Sequence, residues 1–301
     1  MKFVNPTPMV RDAQAGGYAV PAFNTNGGSY DIATAALEAA QETASPLILQ
    51  VYEPNCAYRG FEYFVALSRF LCDELEITVP VALHLDHGKS IASVMRAIRA
   101  GFTGVMLDAS HEPLERNIAM TAAVIQAARP LDVAVEAEVG YVKGNEPPKQ
   151  KQIGRVEPPE EPTIPPAFTE IEEATRLVGE TGVDLLAVSV GTTHGVFKRQ
   201  TGIDFRLLGE LRNAVSVPLV QHGTGGISLE DLSRLAGSGM AKINFGEPFR
   251  YNYINYFYEL TNSMEHLWHP WRIMREVKDH LKKDMKELIA VLGSEGKARL
   301  R

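Results

Sequence analysis

The sequence predicts a closed (β/α)8 barrel of the TIM type, and three observations carry that reading. Eight short apolar runs recur along the chain, amphipathic helical segments separate them, and no nucleotide-binding glycine fingerprint follows the first run. Continuous apolarity is what parallel strands covered on both faces require. An open doubly wound sheet of this size ordinarily carries glycines at fixed spacing in its first strand-to-helix turn. Here that turn reads Asn24-Thr25-Asn26-Gly27-Gly28, which lacks the spacing, so eight repeats point to a barrel closed on itself.

Tyr18 to Phe23 reads as the first strand and Asp31 to Thr43 as its helix. Pro46 to Val51 and Phe61 to Leu75 form the second repeat, Val79 to Leu85 and Ile91 to Arg99 the third. The fourth is Gly104 to Asp108 with Leu114 to Ala127, and the fifth is Val133 to Glu138 with Glu170 to Thr181. The remaining strands are Leu185 to Val190, Val217 to Gln221 and Lys242 to Phe245, with helices at Asp204 to Arg212 and Leu229 to Ser238. A proline-rich polar insertion, Lys143 to Pro166, follows the fifth strand and cannot pack a core of its own, so it reads as a lid or an interaction arm. A C-terminal helical extension, residues 249–301, reads as two long helices around the His269-Pro270 break. Its aromatics, among them Tyr253, Phe257, Trp268 and Trp271, serve either packing on the barrel rim or a subunit interface. The chain, 1–301, is expected to form one domain.

Composition narrows the function classes. The 301 residues are 45% hydrophobic and 22% charged, an ordinary globular balance. A formal charge of -7 with no run of Lys and Arg argues against a nucleic-acid partner. No stretch approaches the roughly 18 apolar residues of a membrane span, and Asn5, Pro6, Pro8, Arg11 and Asp12 interrupt any apolar leader. Cys56 and Cys72 are too few and too poorly spaced for a disulfide framework or a thiolate zinc site, so a reducing cytoplasm is expected.

In such a barrel the chemistry sits at the C-terminal ends of the strands. The third run ends His84-Leu85-Asp86-His87-Gly88, the fourth in Asp108 followed by Ser110 and His111, and the fifth in Glu136 and Glu138. The sixth leads into Thr193-His194-Gly195 and the seventh into Gln221-His222-Gly223. Three histidines, each followed by a glycine, therefore share one rim, and three imidazoles beside an open position is a catalytic zinc arrangement. Zn²⁺ there would act as a Lewis acid and electron sink, and Asp86 beside the ligands as a base. Asp86 and His87 would point to opposite sides of an ideal strand, so the strand is expected to end between them. The alternative sink, a lysine Schiff base, is disfavoured because Lys242 starts its strand and Lys89 sits on a loop. His84 and His111 either orient a substrate or ligand or play a structural part.

In order and spacing, Ala19-Val20-Pro21-Ala22-Phe23-Asn24, the His84 to Gly88 segment, Val105 to Ser110, Val135 to Gly140, Gly191 to Gly195, His222-Gly223 and Lys242-Ile243-Asn244 resemble the class II fructose-bisphosphate and tagatose-bisphosphate aldolases. The resemblance implies zinc, alone or with a monovalent cation, held by His87, His194 and His222, with Glu138 at an alternative metal position. It implies proton transfer by Asp86, an enediolate contact from Asn244, and a lid acid at Glu146. It also places Asn24, Tyr52, Gly195, Gly223, Gly225, Gly226, Glu247 and Arg250 around the substrate, a small sugar or sugar phosphate, in a homo-oligomer of two or four subunits.

At the donor site three positions depart from that family. Gly225 stands where it has a phosphate-binding serine, Glu247 where it has a threonine, and Tyr52 where a serine is usual. Hydroxyls are lost and a carboxylate is added where a dianion should sit, although Arg250 lies one turn beyond Glu247. The reading is a class II aldolase with an altered donor-phosphate site. The readings that compete with it are a conventional bisphosphate aldolase, a metal-dependent isomerase or epimerase, and a non-catalytic sugar- or metal-binding protein on the same scaffold.

Overall fold

The structure is a computed structural model of the chain and describes residues 2–142, 144, 155, 157–200, 202–263 and 269–299. Eight parallel strands close into a barrel in chain order: β1 (Val20–Asn24), β2 (Leu47–Tyr52), β3 (Val81–Gly88), β4 (Gly104–Leu107), β5 (Ala134–Val139), β6 (Leu185–Val188), β7 (Leu219–Gln221) and β8 (Met240–Phe245). Closure is the pairing of β8 with β1, which sets Ala22 beside Asn244. All eight apolar runs are strands, with ends shifted by a few residues.

The helices on the outside are those the periodicity marks: α2 (Tyr30–Glu42), α4 (Phe61–Glu74), α5 (Ile91–Ala100), α6 (Leu114–Ala128), α7 (Ile171–Thr181), α8 (Phe205–Ala214) and α9 (Leu229–Ser238). Ser29, Ser90, Asp204 and Ser228 cap four of them by accepting the backbone N–H of the third helical residue. Outward-facing Leu47, Leu49, Val51, Leu83 and Leu85 meet the helices in one continuous apolar layer.

Two further helices lack a legible sequence signal. α1 (Thr7–Gly16) buries Met9, Val10 and Ala13 against the inward-facing Val20, Ile48, Ala82 and Leu185. It plugs the N-terminal mouth of the barrel. In the sequence Pro6 and Pro8 read only as interruptions of an apolar leader, yet proline is well placed in a first helical turn, where its missing N–H has no partner to lose. α3 (Glu53–Arg59) is a short helix directly after β2.

The C-terminal extension forms α10 (Glu247–Ser263) and α11 (Pro270–Val291), broken near His269-Pro270 as expected. Ile273, Val277, Leu281, Met285 and Ile289 recur every fourth residue and form the buried stripe of α11. Lys278 pairs with Glu38 at 2.7 Å and Lys282 with Glu42 at 2.9 Å, which seats α11 on α2. Ile254, Phe257, Tyr258 and Trp271 stay exposed. Among the described residues no helix is long and apolar enough to cross a membrane.

Candidate active site

Asp86 and His87 are neighbours in sequence, and both face one cavity at the C-terminal mouth. The strand does not end between them, as the sequence suggested. β3 runs on to Gly88, but its register against β4 slips between Leu85 and Gly88, and His87 takes a left-handed φ of 51°. This is a β-bulge, which re-aims one side chain without ending the strand. Left-handed backbone costs a non-glycine residue about 1–2 kcal/mol, a cost that the surrounding contacts offset. Gly88 follows because a Cβ there would press on the Met106 carbonyl and the Val94 side chain.

His87, His194 and His222 converge from β3, the loop after β6 and the end of β7. Each offers a ring nitrogen, and the three atoms lie within 4.8 Å of one another. The opposite nitrogen of each ring meets a carboxylate: His87 Nδ1 is 2.8 Å from Asp108, His222 Nε2 is 2.9 Å from Glu136, and His194 Nδ1 is 3.2 Å from Glu247. The inward atoms His222 Nδ1 and His87 Nε2 are 3.1 Å apart, while His194 Nε2 is buried without a hydrogen-bond partner. Two imidazole nitrogens on one tetrahedral zinc would be about 3.3 Å apart. The donor set therefore fits zinc, and carboxylates behind the rings are the usual support of such ligands. Glu138 closes the other side. Its Oε1 accepts the Val142 N–H at 2.8 Å, and its Oε2, without a hydrogen-bond partner, lies 3.4 Å from His222 Nδ1.

The field around these rings is strongly anionic. Burial opposes the charged form of His87, but Asp86, Asp108 and Glu138 outweigh it and push its pKa up to about 9. Burial would raise Glu247, yet His194 and Arg250 bring its carboxyl down to about 2. Glu136 is likewise held well below the usual carboxylate range, burial being overcome chiefly by Lys242 and His222.

Asp86 is 8% exposed and gripped by three amides. Asn24 Nδ2 donates to its Oδ2 at 3.2 Å, while Asn244 Nδ2 and Gln50 Nε2 donate to its Oδ1 at 3.3 and 3.5 Å. These amides sit on β1, β8 and β2, so barrel closure itself assembles the grip. Gln50 carried no sequence signal, being one polar residue inside an apolar run.

The cavity wall also includes Tyr52, Lys89, Asp108, His194, Gly223, Glu247 and Arg250. Gly195, Gly225 and Gly226, expected around the substrate, are not on it. A side chain at 225 would collide with the Gly195 carbonyl, because the loops after β6 and β7 lie against each other. Gln200, absent from the expected set, locks them. Its Nε2 donates to the carbonyls of Gly223, Gly225 and Thr193 at 2.7, 2.9 and 3.0 Å, and its Oε1 accepts the Thr193 N–H at 2.8 Å.

Lys242 is the third residue of β8, not the first, and its ammonium lies inside the barrel, fully buried and 2.7 Å from Glu136 Oε2. Lys89 Nζ is 2.6 Å from Asp108. Both are committed to carboxylates, which leaves a Schiff base without a free amine among them. His84 is fully buried, 3.4 Å from Glu136 in the layer beneath the site, and burial together with Lys242 brings its pKa down to about 3. His111 is exposed beside Glu112 and takes no part in the cavity wall.

Among the described residues, the segment entering the insertion reaches the site. Tyr141, Val142 and Gly144 line the cavity, and Gly144 pairs with His194 in a parallel bridge. The returning limb is fastened to the loop after β6, with Lys198 N–H donating to Pro159 O at 2.9 Å and Arg199 N–H to Glu160 O at 3.0 Å. Glu146, expected as the lid acid, lies outside the described residues.

The family profile "Fructose-bisphosphate aldolase class-II" matches residues 4–297, and the chain belongs to that family. It is a class II aldolase, an enzyme that reversibly breaks and forms a carbon–carbon bond beside a ketone. The chain is 36% identical over 299 residues, 99% of each sequence, to a fructose-bisphosphate aldolase of Geobacillus stearothermophilus. It is also 36% identical over 299 residues to a 6-phospho-5-dehydro-2-deoxy-D-gluconate aldolase of Bacillus licheniformis, covering 99% of this chain and 97% of that one. Among solved structures, the YdjI aldolase of Escherichia coli K12 superimposes with a TM-score of 0.82 at 29% identity, covering 99% of this chain and 100% of that one.

Proposed function

We propose that this aldolase holds zinc through His87, His194 and His222, with Glu138 at an alternative metal position, and takes a dihydroxyacetone-type donor that lacks the phosphate. The observation that supports zinc is the convergence of three ring nitrogens, each backed by its own carboxylate. When bound, zinc supplies a Lewis acid that polarises the donor ketone and takes up charge developing on its oxygen.

The chain's own residues do the rest. Asp86 takes the proton of the alcohol that becomes the aldehyde, and the amides of Asn24, Gln50 and Asn244 hold its carboxylate in place for that transfer. As the carbon–carbon bond opens, Asn244 donates to an oxygen of the donor fragment, a role that its place in the cavity wall supports. Glu146 returns a proton to the donor carbon. Support for this last role is that Gly144, two residues earlier, already lines the cavity.

The donor reading is supported by one feature of the loops behind the wall and one of the wall itself. The Gly195 carbonyl fills the space that a serine side chain at 225 would need, and Glu247 presents a carboxylate where a dianion would be held. Buried, unpaired Cys56 and Cys72 support a reducing cytoplasm, and the exposed Ile254, Phe257, Tyr258 and Trp271 support a homo-oligomer.

The test is metal analysis of the purified protein together with a retro-aldol assay on free and phosphorylated ketoses. Activity should vanish with a chelator and return with Zn²⁺ or Co²⁺. Substrate-dependent inactivation by borohydride, which traps a Schiff base, would refute the metal reading.

A further inference from the structure

We infer that Glu247 is a positioning residue for the ligand His194, a carboxylate that takes the place of a substrate-binding hydroxyl and selects the tautomer and orientation of that ring. The inference rests on the zinc site proposed above.

The three candidate ligands are not held alike. His87 sits between the paired Asp86 and Gly88 of β3, and His222 directly follows the paired Gln221 of β7, so ladder pairs at their neighbours fix both. His194 belongs to the loop after β6, where its one ladder contact among the described residues is the bridge to Gly144. Its side chain is 21% exposed, against 10% for His87 and 0% for His222. It is the ring with most need of a side-chain partner.

Glu247 supplies one. Its Oε1 lies 3.2 Å from His194 Nδ1, so Nδ1 carries the proton and donates it, which leaves the Nε2 lone pair free. That Nε2 is the buried atom without a partner, facing the other two rings. Glu247 is in turn held in place as the first residue of α10, where the free N–H groups of a helix start favour a carboxylate. Arg250, one turn further, shares the same cavity wall. Threonine, which the family resemblance leads one to expect at this position, has a hydroxyl too short and too weakly basic to replace the carboxylate at Nδ1.

The test measures zinc affinity directly. Wild-type protein, Glu247→Ala, Glu247→Gln and Glu247→Asp are stripped of metal, and zinc is titrated against a chromophoric chelator, with the thermal midpoint of each metal-free protein recorded in parallel. Wild type should bind one zinc per chain. Glu247→Ala should weaken the Kd by about 10- to 100-fold, the usual cost of losing the partner behind a ligating histidine, with the metal-free midpoint unchanged. Glu247→Asp should recover part of the loss, and Co²⁺-loaded Glu247→Ala should show a visible spectrum shifted from that of the wild type. If Glu247→Ala does not fold, Glu247→Gln decides, because it keeps the shape and removes the charge; an unaltered Kd and Co²⁺ spectrum in the folded variant would overturn the inference. A wild type that binds no zinc would instead overturn the metal reading, a result visible before any variant is made.

Discussion

Lys242 Nζ lies 2.7 Å from Glu136 Oε2, with both side chains fully buried inside the barrel, and the other oxygen of that carboxylate is 2.9 Å from His222 Nε2. A cation two strand residues below Asn244 thus balances the carboxylate that backs a candidate ligand. Removing one member of a buried pair strands the other charge, at a cost of about 3–5 kcal/mol. Lys242→Met should lower the unfolding free energy of the metal-free protein by that amount in urea titration. The double variant Lys242→Met/Glu136→Gln should recover much of the loss, because no lone charge remains. Equal destabilisation of the double and the single variant would argue that packing, not charge, carries the effect.

Asp86 is expected to act on protons, not on metal. Asp86→Asn should keep its zinc and lose on the order of 10² to 10⁴ in turnover, the usual worth of a positioned acid–base group. His222→Ala should lose metal along with activity. Metal content by atomic spectroscopy separates the two, and zinc loss in Asp86→Asn with retention in His222→Ala would reverse the assignments.

The donor preference is read by aldol synthesis with dihydroxyacetone and with dihydroxyacetone phosphate at one aldehyde concentration. The wild type should favour the unphosphorylated donor in kcat/KM. Losing two or three charge-assisted bonds weakens a phosphate by about 10² or more. Gly225→Ser should not restore it, because the new side chain meets the Gly195 carbonyl first. A tenfold preference of the wild type for the phosphorylated donor would return this enzyme to the ordinary bisphosphate aldolases.

Gln200 holds three carbonyls and one N–H between the loops after β6 and β7. Gln200→Ala leaves those groups to find water in a buried place, at a cost of about 2–3 kcal/mol in stability. Because the same loops carry His194 and Gly223, KM should rise more than kcat falls. Steady-state kinetics and a thermal melt on the same preparation would show both effects, and unchanged values in both would remove the clamp from the account.

The barrel, its eight strands and the rim positions of His87, His194, His222 and Asp86 were legible in the sequence because they rest on local signals. Apolar runs, helical periodicity and the residue that closes a run all lie within a few positions of one another. Several features were not legible because they are decisions between distant segments or between equivalent local readings. Two prolines that start α1 look like prolines that break a helix. The bulge at His87 depends on how β3 registers against β4, and no property of Asp86-His87 announces it. Gln200 is one glutamine in a loop until the loops around it meet. Glu247 shows the difference most clearly. The sequence placed a carboxylate at the donor site and its charge predicted what it would repel. Only the tertiary structure brought it 3.2 Å from His194 Nδ1, because that contact joins residues 53 positions apart across the β6–β7–β8 neighbours of the barrel.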